Sequence, residues 1–362
     1  MQSPKVSTDS PAPHLAGPVS WYRSPVPAGT LTELHRRSDW LGGLQAAGYL
    51  GLLIVTGAAA FLASGRLPAW AVVAMVFAHG TCCAFLVNAI HELCHGAVFK
   101  TRFLNAFFLR IFGFLGWSNN FEMFWASHQR HHRYTLHPPE DLEVVLPMRL
   151  VAKHFFLQGF VDPVLAWRTF KKTLRVARGR MEGEWELALY PDSVPAARKA
   201  AVRWARVLLV GHGLILAFSV YNRLWLLPVV TTFAPFYGGW LFFLCNNAQH
   251  IGLQDNVPDF RLCCRTITLN PVVQFLYWHM NFHTEHHMYA AVPCYRLGRL
   301  HRVIREDLPE CPSGIVATWR QIAEIQRKQE ADPTYQYAAP LPSPRTAQPP
   351  RPAVSASGRN AG

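Results

Sequence analysis

Apolar residues in this chain come in long runs, and the runs come in pairs. The first pair covers about residues 45–64 (QAAGYLGLLIVTGAAAFLAS) and 69–90 (AWAVVAMVFAHGTCCAFLVNAI), with only a short SGRLP turn between them. The second covers about 204–221 (WARVLLVGHGLILAFSVY) and 224–245 (LWLLPVVTTFAPFYGGWLFFLC), joined by Asn222 and Arg223. Each run approaches the roughly 20 apolar residues that a helix needs to cross a hydrocarbon core of about 30 Å. The pattern predicts an all-α integral membrane protein with four transmembrane helices in two hairpins. Two shorter apolar stretches, 103–118 and 151–170, carry Arg110, Lys153 and Arg168 and suit helices lying in the membrane interface. Residues 171–203 are charge-rich and read as part of a cap outside the bilayer. Residues 1–20 and 338–362, rich in Pro, Ser, Ala and Arg, read as disordered tails around a single domain, 21–337.

Charge orients this scaffold. The two tight turns carry only Arg66 and Arg223. All other Lys and Arg lie in the N-terminal part, in 91–203, near Arg206 or after 249, which share one side if each pair is a hairpin. The positive-inside rule makes that side cytoplasmic. The net charge of +13 then reads as contact with anionic lipid headgroups, with no nucleic-acid partner expected. Arg far outnumbers Lys, which hints at a GC-rich genome and so at a bacterial inner membrane. No basic start followed by an apolar core marks a cleavable signal peptide in residues 1–30. The eight cysteines form no CxxC pair and are expected as free thiols in a reducing compartment.

Histidine changes the picture most. Nine of the 17 fall in four clusters: His91 and His95 in HELCH, His128, His131 and His132 in HQRHH, His250 in NNAQH, and His283, His286 and His287 in HTEHH. Imidazole suits iron, zinc, copper and nickel, and nine such ligands exceed what one ion can hold. Two ions sharing them is the economical explanation. His91 and His95 are spaced i, i+4, so a helix places both within reach of one ion, and each i, i+3, i+4 triplet could place two histidines on one ion and turn the neighbouring one toward the other. All nine sit on the predicted cytoplasmic side or within a turn or two of the boundary. The remaining histidines, including His14, His35, His137, His154, His212 and His301, are expected as ordinary surface or hydrogen-bonded residues, His79 chiefly as core packing, and His279, one turn before the last cluster, as an ordinary residue with support of a ligand histidine as the alternative. HELCH also fits the HExxH pattern of zinc peptidases, with Glu92 as general base. Under that reading the two HxxHH clusters would be surplus. A lipid-binding membrane protein without activity is a further alternative, disfavoured by the complete set of nine.

At these boxes the chain resembles the membrane fatty acid desaturases, whose pattern is HxxxH, then HxxHH, then a late HxxHH. NNAQH is similar to their Asn-xxx-His element, and WHMNFHTEHHMYAAVPCYRLGRLHR looks like their last box with its downstream VPxYRL. The resemblance covers about residues 45–310. It implies a four-helix stem with a cytosolic cap holding two irons. The implied ligands are His91, His95, His128, His131, His132, His250, His283, His286 and His287, with Asn246 as a water-mediated contact. Their division between the irons stays open. Glu92 and Glu285 are expected to hydrogen-bond ligand histidines. O2 would be the co-substrate. With no haem-binding domain or dinucleotide fingerprint in the chain, an external donor of the ferredoxin or cytochrome b5 type would supply electrons. The expected activity is desaturation of an acyl chain on a lipid or carrier. The alternative is hydroxylation or another oxygenation of a lipid, alkane, carotenoid or specialised metabolite. Trp117, Phe121, Phe124 and Trp125 could line a substrate passage, though interface packing is the simpler role. Arg130, Arg133 and Arg265 are expected to meet lipid phosphate.

Overall fold

The computed structural model describes residues 17–144, 146 and 152–342. Most of both expected tails, at 1–16 and 343–362, lies outside the described residues. Among the described residues the fold is helical, with isolated bridges and no strand. The principal helices are α1 (Asp39–Ala63), α2 (Ala69–Cys83), α3 (Leu86–Cys94), α4 (Arg102–Leu115), α5 (Phe121–Tyr134), α6 (Pro163–Ala177), α7 (Pro195–Tyr221), α8 (Trp240–Asn246) and α9 (His283–Met288).

Three helical stretches are long and apolar enough to cross a membrane: α1, α2 running on into α3 (Ala69–Cys94), and α7. Their 25–27 residues reach about 38–40 Å at 1.5 Å per residue. Ile54, Val55, Val73, Val210, Leu214 and Phe218 on these helices are each more than half exposed. That outward apolar surface is what a helix facing lipid requires. Chain chemistry sets where helices begin. The Ser38 hydroxyl caps α1, Asn120 caps α5, and Asp162 caps α6 with Pro163 in its first turn.

The expected fourth span, 224–245, is not one helix. The segment breaks into Leu226–Val230, a 3-10 turn at Ala234–Phe236, and α8. Pro228 and Pro235 lack the N–H that a continuous helix needs. Gly238 adopts a left-handed φ of 71° and redirects the chain. Its neighbour Tyr237 packs so closely on Gly80 that a Cβ there would lie 2.2 Å from the ring.

A broken backbone in an apolar setting leaves carbonyls in need of donors, and side chains from a spanning helix, from the stretch before α5 and from the segment itself supply them. His79 Nε2 donates to Val230 O (2.9 Å) and Trp117 Nε1 to Thr232 O (2.7 Å). Tyr237 Oη donates to Val229 O (3.1 Å). His212 contacts the Thr232 hydroxyl (3.1 Å) and donates to Phe114 O (3.0 Å). His79 and His212 therefore do more than pack: they clamp the interrupted segment between α2 and α7.

The expected interface stretches form α4, Ala152–Gly159 and α6, with Phe103, Phe156 and Trp167 each more than 60% exposed. Beneath the histidines, Tyr49, Phe112 and Trp278 meet with ring centroids 5.6–5.7 Å apart, joining α1 and α4 to the approach to α9. Replacing His79 by Ala should leave the Val230 carbonyl unpaired. The expected cost is about 1–3 kcal/mol, read as a lower thermal unfolding midpoint in detergent, whereas His35→Ala leaves the midpoint unchanged.

Candidate metal centre

The nine clustered histidines converge into two groups. His91, His95, His128, His132 and His286 form one; His131, His250, His283 and His287 form the other. Within each group the nearest ring nitrogens lie within 4.8 Å of one another. Helix geometry explains the division. His128 and His132, i and i+4 on α5, share the first group, while His131, turned about 100° from His132, joins the second. On α9 the relation reverses: His283 and His287 share the second group and His286 enters the first. The two triplets thus exchange one histidine each.

Nitrogen separations show that the rings face common centres. Nε2 of His132 lies 2.9 Å from that of His128 and 3.1 Å from that of His286. Nε2 of His283 lies 2.9 Å from that of His250 and 3.1 Å from that of His287. Two nitrogens bound at about 2.1 Å to one ion at right angles stand about 3.0 Å apart. The residues therefore fit a pair of first-row metal ions.

The outer nitrogens are held from behind. His91 Nδ1 meets Glu92 Oε1 at 3.0 Å, His128 Nδ1 meets Glu143 Oε1 at 2.9 Å, and His131 Nδ1 meets Asp141 Oδ2 at 2.8 Å. His250 Nδ1 donates to Cys263 O at 2.8 Å. Such partners fix the tautomer and turn the Nε2 lone pair inward. Burial, reinforced by the neighbouring imidazoles, holds His128, His132, His283, His286 and His287 well below the usual histidine range, so their lone pairs are free. Burial lowers His131 as well, but the charge and hydrogen bond of Asp141 outweigh it and leave His131 raised.

Asp141 and Glu143 carry no mark in the sequence. They lie in a loop with no helical period, among 22 acidic residues. Only their distance after the second box, about ten to fifteen residues from His131 and His128, hinted at a return to it. Glu143 also accepts from the Ser127 hydroxyl, which in turn accepts from Trp185 Nε1.

The other expected site residues divide. Glu92 touches His91 and lies 3.5 Å from His286 Nδ1. Glu285 departs from its expected place: its carboxylate bonds Thr266 and His301, and neither belongs to a histidine group. Arg265 does not face phosphate. It is 6% exposed, and its guanidinium donates to the Ala248 and Ile251 carbonyls on either side of His250. Its own N–H donates to Gln249 O, so Arg265 holds the turn that carries His250. Arg130 pairs with Glu140 and lies over the Trp185 ring. His279 bonds Gln274 and joins neither group.

A cavity of about 610 Å3 opens beside the centre, lined by His91, His128, His131, His250, His283 and Asn246. Trp117 and Phe124 also line it, whereas Phe121 packs on Trp204 and Trp125 on His95. The volume lies in the range of small-molecule sites.

The fatty acid desaturase family model matches residues 68–319. The chain belongs to the fatty acid desaturase family. No curated protein matches the chain. Family membership makes it a membrane-bound oxidoreductase of desaturase type, and the three apolar helices agree with that setting. The HExxH peptidase reading falls away. Removing the Asp141 carboxylate with Asp141→Ala should weaken metal binding by about 10–100-fold, measured as the chelator concentration that strips half the metal, with helix content unchanged.

Proposed function

We propose that the protein is an O2-dependent di-iron desaturase that places a double bond in a lipophilic acyl chain, on a lipid or a carrier. The observation that carries this reading is the pair of inward-facing histidine groups beside a substrate-sized cavity, at the end of membrane-length helices. One iron would sit with His91, His95, His128, His132 and His286, and the other with His131, His250, His283 and His287. Asn246, which lines the cavity one turn before His250, would hold a metal-bound water. A reduced iron pair supplies the O2 activation that no side chain can, because an unactivated C–H bond has no acidic proton.

The chain's own residues do the rest. Glu92, Glu143 and Asp141 hold His91, His128 and His131 in the ligand orientation. Val87, Phe124, Phe242 and Met280 give the cavity apolar walls that position a chain and shed water. Arg265 keeps the His250 turn in place. Electrons would arrive from a separate ferredoxin or cytochrome b5 type carrier, on the cytoplasmic side that the Lys and Arg distribution favours.

Protein purified from iron-supplied cells should hold two irons per chain. With an external one-electron donor and O2 it should yield a product two hydrogens lighter than the acyl substrate by mass spectrometry. A product heavier by one oxygen would assign hydroxylation instead. Undiminished turnover after His131→Ala and His286→Ala together, one residue from each group, would sink the di-iron reading.

A further inference from the structure

One carboxamide beside the histidines has no partner. Asn88 lies on α3, three residues before His91, so the two side chains share a helix face. Asn88 is 4% exposed, and its Oδ1 makes no hydrogen bond. It lines the same cavity as His91, His128 and His250. A buried amide left unpaired costs about 1–3 kcal/mol, and asparagine is a poorer helix former than leucine. Neither packing nor helix propensity accounts for this residue here.

The surrounding wall narrows what could pair with it. Val87, Phe124, Phe242 and Met280 are apolar, while Asn119, Asn120, Asn246, Asn247 and Gln249 add five more carboxamides to the same cavity. A plain hydrocarbon segment would match the apolar wall and leave Asn88 unpaired. A lipophile with an oxygen function would satisfy both. A carboxamide can donate from its NH2 or accept at its oxygen, so it suits a hydroxyl or a carbonyl.

We propose that Asn88 determines specificity by hydrogen-bonding a hydroxyl or carbonyl oxygen of the substrate, next to the carbon that the site oxidises. The preferred substrate is then an oxygenated lipophile, with its polar group inside the cavity. This rests on the oxidative reading above for the reaction, though the binding preference depends on the cavity alone. Placement one helical turn from His91 makes the contact an anchor: it fixes which C–H bonds stand nearest the two histidine groups. A site built to bond such a group discriminates strongly against an analogue that lacks it.

The test uses the full chain in detergent with 1-dodecanol and dodecane, a pair differing only in the hydroxyl. Binding is followed by tryptophan fluorescence, since Trp117 and Trp185 line the cavity. After correction for micelle partition, the wild type should bind the alcohol about tenfold more tightly, the ratio that about 1.4 kcal/mol gives. Asn88→Leu should abolish that preference by binding dodecane at least as tightly as the wild type does and the alcohol less tightly, with iron content unchanged. An equal preference in wild type and Asn88→Leu overturns the proposal. A wild type without preference overturns it on its own, so the result does not hang on the variant folding. Failure of the oxidative reading would show separately, as protein without iron or O2-dependent turnover whose alcohol preference persists.

Discussion

Nine imidazoles gathered in one buried volume can coexist only if their charge is suppressed and their lone pairs have somewhere to point. Ten ring pairs among the nine histidines have centroids 4.2–4.9 Å apart. Protonating several rings at that spacing would place like charges together in a low-dielectric interior. A cation in each group would remove the conflict, because it would accept the inward lone pairs and oppose protonation at the same nitrogens. The rest of the structure follows from aiming those lone pairs. Glu92, Glu143, Asp141 and the Cys263 carbonyl fasten outer nitrogens. Arg265 ties down the His250 turn. Glu285, bonded to Thr266 and His301, anchors the short helix of the last box from its far side.

What was legible in the sequence has a common cause. Helical spacing repeats regularly, so HxxxH and HxxHH announced which imidazoles share a face, and long apolar runs announced three of the spans. The failures come from interactions that have no period. Mean hydropathy over 224–245 counts side chains and ignores the backbone, so the segment read as one continuous helix despite Pro228, Pro235 and two adjacent glycines at 238 and 239. Asp141 and Glu143 reach their histidines across a loop, and Arg265 reaches carbonyls 14 and 17 residues back. Sequence spacing encodes neither kind of contact. The division of the histidines lay between these cases: i, i+3, i+4 spacing allowed each triplet to split, and only the meeting of α5 and α9 side chains decides the partner of each half.

The interrupted segment also links the stem to the site. His79 on α2 pairs with Val230, and Trp117, just before α5, pairs with Thr232. Trp117 lines the cavity, and α8, where the broken segment ends, carries Asn246 into it. A continuous fourth helix would have satisfied its own carbonyls and asked nothing of its neighbours. The break instead spends the donors of His79, Trp117 and Tyr237, and in return fixes one wall of the cavity to the spanning helices. α3 supplies further lining: it continues the Ala69–Cys94 span and presents Asn88 and His91 one turn apart. Both parts of the lining are thus extensions of membrane-embedded elements. On the proposed desaturase reading, the stem would set the position of a bound chain relative to the histidines, and a change in packing far from the site would shift which C–H bond is reached without altering the histidine groups themselves.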